Sequence, residues 1–65
     1  MDEYLEMLKE VIRDNYYVFG NADVGLNKNA QVILTWREDD EITEDQYKEL
    51  RAYNRHVYSE LPLDM

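Results

Sequence analysis

Cysteine is absent from this chain, and its 65 residues include only one proline, two glycines, one histidine and one serine. Without cysteine, neither a disulfide nor a thiolate metal site can brace the fold. With His56 as the sole imidazole, a zinc site lacks ligands, and no metal or cofactor is expected. The hydroxyl of Ser59 and the imidazole of His56 fall on one predicted helix. A nucleophilic triad also needs an orienting group and an oxyanion hole, and no Gly-rich nucleophile turn is present. His56 is better placed near a helix C-terminus with Glu60 at i+4. The glycines, Gly20 and Gly25, are too few and too far apart for a phosphate loop or a dinucleotide fingerprint. Asn21, Asp23 and Gly25 place oxygen donors and a glycine as a turn would, not in the register of a calcium loop. An enzyme is not expected.

Long hydrophobic runs are also missing. Nothing approaches the roughly 20 apolar residues that cross a bilayer. Met1 is followed by Asp2-Glu3 with no apolar stretch behind, so no leader is expected. A cytoplasmic location is compatible with the lack of cysteine. Basic residues are scarce, seven against fifteen acids, for a formal charge of −8. A field of that sign repels phosphate backbones and anionic lipid, so neither nucleic acid nor a membrane is an expected direct partner. It attracts basic protein surfaces.

What remains is apolar enough to fold. The hydrophobic fraction is 45%, with six tyrosines, one tryptophan and one phenylalanine, too much for a disordered acidic tail. Residues 1–65 read as one small domain. At this size only about 60% of the unfolded surface is buried on folding, so the core is thin.

From Asp2 to about Asp14, the apolar residues Tyr4, Leu5, Leu8, Val11 and Ile12 keep helical spacing. Beyond Asp14-Asn15 two readings stay open. Tyr16-Tyr17-Val18-Phe19 has the aromatic and β-branched composition of a short strand. The helix could instead run to Phe19, with Gly20 at C′. The composition favours the strand. Residues 20–30 hold both glycines and three of the five asparagines, which predicts a loop or irregular hairpin. In Gln31–Arg37, Val32, Leu34 and Trp36 alternate with Ile33, Thr35 and Arg37 as in a strand. A second helix is predicted over Glu44–Glu60. Thr43 and Gln46 fit a capping box, and Ile42 and Tyr47 a hydrophobic staple; Pro62 closes it. The expected fold is therefore α+β: a two-stranded antiparallel β-hairpin packed against an N-terminal and a C-terminal helix, in the order α-β-β-α.

Between the strand and the last helix lies the run Glu38-Asp39-Asp40-Glu41-Ile42-Thr43-Glu44-Asp45, six carboxylates in eight positions. Glu44 and Asp45 suit the positive end of a helix dipole, and Glu44 can pair with Lys48 at i+4. Glu38 through Asp40 and Glu41 receive no such local help. The tyrosines, Tyr47, Tyr53 and Tyr58 on one helix, are either core-rim residues or a contact surface.

These features point to a protein-interaction module. Its profile, short, acidic, cysteine-free and tyrosine-rich, resembles that of small inhibitors made by phages and other mobile elements, nucleic-acid mimics among them. The resemblance is one of profile, and no functional residue is carried over from it. The expected contact residues are Glu38, Asp39, Asp40, Glu41, Glu44 and Asp45 as phosphate mimics, with Trp36 or Tyr47 as an apolar anchor. The expected partner is a basic surface, such as that of a nucleic-acid-binding enzyme. The alternative is a structural module that forms a homodimer and has no inhibitory role.

Overall fold

A computed structural model describes residues 3–61 and contains three helices joined by short turns: α1 (Glu3–Phe19), α2 (Ala22–Glu38) and α3 (Glu44–Glu60). No strand occurs among the described residues. The expected α+β fold, with its α-β-β-α order and β-hairpin, is therefore overturned. The protein is an up-down-up three-helix bundle, with α1 and α3 parallel and α2 antiparallel to both.

Three segments account for the correction. Tyr16–Phe19 is the last turn of α1 and not a strand, because Leu5, Leu8, Ile12 and Tyr16 form one buried stripe. Gly20, at φ 67°, ends the helix at C′, and its N–H donates to the Tyr16 carbonyl (3.2 Å). Residues 20–30 are not a loop. Asn21 caps α2, its side-chain oxygen accepting from the Val24 N–H at 3.1 Å. The expected strand Gln31–Arg37 is the C-terminal half of α2. Its alternation of apolar residues is incidental: only Ile33 is fully buried there, and Leu34 is exposed. The few tenths of a kcal/mol by which Val and Ile disfavour a helix are small beside what tertiary packing supplies.

The last helix forms over the expected residues. The Gln46 N–H donates to Thr43 Oγ1 (3.1 Å), and the Thr43 N–H donates to Gln46 Oε1 (2.8 Å), completing the capping box. Ile42 is buried, and Tyr47 packs against the core. Asp2 and Pro62 lie outside the described residues.

The core is one layer of Leu5, Leu8, Ile12 and Tyr16 from α1, Ile33 from α2, Leu50 and Val57 from α3, and Ile42 from the turn. Through it runs a ring of side-chain to backbone hydrogen bonds. Asn29 on α2 donates to the Ile12 carbonyl of α1 (3.0 Å). Asn54 on α3 donates to the Leu26 carbonyl of α2 (3.1 Å). The Tyr16 hydroxyl on α1 is bonded to Asn54 of α3, through both its carbonyl oxygen (3.0 Å) and Oδ1 (2.5 Å). Each helix thus holds a backbone carbonyl of another, which fixes their axial register. Asn29 is 0% and Asn54 3% exposed, and an unmet polar group at that depth costs about 1–3 kcal/mol. No buried side-chain N or O among the described residues lacks a partner. Burial also pushes the Tyr16 phenol above its usual pKa of 10.0, so its hydroxyl remains a donor at neutral pH. Gly25 lets α1 and α2 approach at this level, since a Cβ there would meet the Tyr16 ring at 2.6 Å.

Candidate functional site: an acidic end of the bundle

The acidic run occupies the turn between α2 and α3, and its geometry is fixed on both sides. At the end of α2 the Asp40 N–H donates to the Arg37 carbonyl (3.1 Å) and the Glu41 N–H to the Trp36 carbonyl (2.8 Å). This is a Schellman closure with Asp40 at C′. Asp40 holds φ 61°, the left-handed region that glycine adopts most easily and asparagine or aspartate only occasionally. Ile42 then plugs into the core and Thr43 opens α3. The turn is anchored, and Glu38, Asp39, Asp40, Glu41, Glu44 and Asp45 are all exposed on it.

Two of these acids sit where helix electrostatics favour them. Glu44 and Asp45 are in the first turn of α3, at the positive end of its dipole. Glu44 bonds Arg37 Nε at 2.8 Å, bridging α2 and α3; the i+4 pair with Lys48 is not formed. Glu38, Asp39, Asp40 and Glu41 are in the opposite situation. They stand at the C-terminus of α2, where the dipole is negative and carboxylates are disfavoured by about 0.3–1 kcal/mol each. None of the four has an ion-pair partner among the described residues.

The bundle topology adds acids that the sequence reading did not place here. Lys9 of α1 bonds Glu49 of α3 at 2.9 Å and lies 3.5 Å from Glu6. That contact holds α1 and α3 level, so Glu3 and Glu6 come up beside the first turn of α3. The Lys9 ammonium is held above its usual pKa by its bond to Glu49. One end of the molecule therefore gathers Glu3, Glu6, Glu49 and the whole run. Their grouping follows from reading residues 22–38 as a helix, which returns α3 alongside α1.

The two expected anchors are less free than the acids. Trp36 is half-buried and packs against the core. The Tyr47 ring is half-buried too, with the Arg37 guanidinium 4.8 Å and the Arg51 guanidinium 5.6 Å from its centroid. Both are close to the acidic turn, and the two arginines already occupy the Tyr47 ring. Of the remaining tyrosines, Tyr53 and Tyr58 pack at the core rim, while Tyr17 is exposed.

Elsewhere, the Ser59 hydroxyl donates to the His56 carbonyl (2.7 Å), and His56 Nε2 lies 3.5 Å from Glu60. No hydrogen bond joins that hydroxyl to the imidazole. Among the described residues no three of His, Asp and Glu are grouped to hold a metal ion, and no helix is long and apolar enough to cross a membrane. No protein-family model matches the chain, and no curated protein or solved structure matches it.

Proposed function

We propose that the acidic end is the docking surface of a small protein-interaction module, an inhibitor or decoy whose carboxylates take the place of phosphates on a basic, nucleic-acid-binding protein surface. One observation carries this reading. Glu38, Asp39, Asp40 and Glu41 occupy the negative end of α2, exposed and without an ion-pair partner among the described residues, and Asp40 does so in a left-handed conformation. Each feature costs local stability, and no ion pair among the described residues offsets that cost. A rigid mounting by the α2 closure on one side and the capping box on the other suits presentation to a partner.

The test is affinity capture of basic proteins from a cell lysate with the purified chain, at about 0.05 M and 0.5 M salt. It is repeated with the variant Glu38→Gln/Asp39→Asn/Asp40→Asn/Glu41→Gln. Asparagine tolerates the left-handed position, so this variant keeps the turn. The expected partner is released by high salt, is displaced by double-stranded DNA, and binds the variant at least tenfold more weakly. A partner retained equally by the variant and at high salt removes the basis of the proposal.

A further inference from the structure

Among the described residues, six of the eight exposed large apolar side chains are on α1, namely Tyr4, Met7, Val11, Tyr17, Val18 and Phe19; two are on α2 and none on α3. Four of the six are in register. Tyr4, Met7, Val11 and Val18 follow the i, i+3, i+7, i+14 spacing of a coiled-coil seam and fall within about 60° of arc on a helix that turns 100° per residue. They are 40%, 52%, 39% and 75% exposed. Leu5, Leu8, Ile12 and Tyr16, which face the core, lie roughly 110° further round. Helix α1 thus carries two apolar stripes, and the bundle covers only one.

The residues around the open stripe specify what covers it. Glu3, Glu10 and Asp14 flank it on the side away from the core, and Asp14 itself falls on the seam position between Val11 and Val18. None of the three has an ion-pair partner among the described residues. The two cations of α1 are turned to the other side: Lys9 bonds Glu49, and Arg13 lies beside Tyr53. A second copy of this chain would bring the same acids opposite one another, between molecules that each carry −8. The four side chains offer on the order of a few hundred Å2 of apolar surface, against about 800 Å2 per partner in a standard interface. Apolar burial alone therefore does not hold two like-charged copies together. A helix with apolar residues at matching spacing and lysine or arginine beside them satisfies both the stripe and its acidic border.

We infer that the open face of α1 is a docking site for a basic amphipathic helix, whose apolar residues pack on Tyr4, Met7, Val11 and Val18 and whose cations pair with Glu3, Glu10 and Asp14. This surface shares only Glu3 with the acidic end and does not depend on the role of the acidic turn.

The probe is a synthetic peptide of about 18 residues, five helical turns, with leucine at seam positions and lysine or arginine flanking them. A control peptide carries glutamate at the flanks. Fluorescence anisotropy of the labelled peptides on the intact chain gives the affinity. The basic peptide is expected to bind and the acidic one not. The variant Met7→Glu/Val11→Glu should raise Kd at least tenfold, and Val18→Glu, at the most exposed position, guards against a folding defect in the first. Asp14→Lys should weaken the basic peptide as well. The Glu38→Gln/Asp39→Asn/Asp40→Asn/Glu41→Gln variant should bind it within about twofold of the unaltered chain, which separates this face from the acidic turn. The inference is overturned if the stripe variants bind as well as the unaltered chain, or if only the acidic-turn variant loses binding. It is equally overturned if sedimentation shows a dimer that Met7→Glu/Val11→Glu dissociates, since the occupant is then a second copy.

Discussion

A methyl group at position 25 would stand 2.6 Å from Cδ1 and 3.0 Å from Cε1 of Tyr16. That ring cannot swing aside freely, because its hydroxyl is bonded to Asn54 on the opposite helix. In an exposed helix, replacing glycine by alanine gains about 1 kcal/mol from propensity. Here the displaced ring breaks contacts whose loss, with the overpacking, costs about 1–3 kcal/mol. Gly25→Ala is therefore expected to lower the midpoint of thermal unfolding by several degrees. Pairing it with Tyr16→Phe, which frees the ring, should give a combined loss smaller than the sum of the two. A Gly25→Ala chain that melts higher than the original would show that the close approach of α1 and α2 is not set there. None of this was legible from glycine alone, which marks a tight turn and a close helix contact equally well. The residue that distinguishes them is Tyr16, on another helix.

The helices differ in how openly the sequence declared them, and the reason is what each turns inward. Helix α3 is legible to both ends because its start carries Thr43, Gln46 and the Ile42–Tyr47 pair, and Leu50 and Val57 keep an apolar stripe on either side of the buried Asn54. Helix α1 is legible to Asp14; for its last turn, Tyr16–Phe19, local composition favours a strand over the helix that the spacing of Tyr16 and Phe19 also allows, and the buried stripe decides for the helix. Helix α2 was not legible. Its buried residues are Gly25, Asn29 and Ile33, so the face that should have shown apolar periodicity shows a glycine and an asparagine instead. The buried polar ring hid the helix it locks. For the candidate site, the run itself was legible as a charge cluster, but its placement at the negative end of α2 was not, since that end exists only once α2 does. The closure of α2 gives a measurable consequence. Asp40 at φ 61° is strained relative to glycine, which adopts this region at no steric cost. Asp40→Gly is expected to raise stability by about 0.5–1 kcal/mol, from relief of the backbone and removal of a carboxylate beside the helix C-terminus. Urea unfolding would show a higher midpoint with an unchanged slope. A lower midpoint would mean that the carboxylate contributes to the turn.

Across the whole molecule the charge is unevenly spread. The bundle measures 34 × 23 × 16 Å, and Glu3, Glu6, Glu49 and the run from Glu38 to Asp45 share one end of its long axis. At about 0.01 M salt the screening length is roughly 30 Å, so every acid at that end feels the others; at about 0.15 M it is roughly 8 Å, and only neighbours do. The parallel arrangement of α1 and α3 offsets part of this repulsion, because two helix N-termini face the same acids. The α2 C-terminus adds to it. Stability should consequently rise with salt over this range, and most of the rise should come from the four acids at the end of α2. Thermal melts of the unaltered chain and of Glu38→Gln/Asp39→Asn/Asp40→Asn/Glu41→Gln would test this directly. The variant is expected to melt higher at about 0.01 M salt by the several degrees that about 1 kcal/mol represents in a domain of this size. The gap should close by about 0.5 M, where screening has removed the repulsion from both. If the two chains melt together at low salt, the acidic turn carries no electrostatic strain, and its charge costs the free molecule nothing that a partner would relieve.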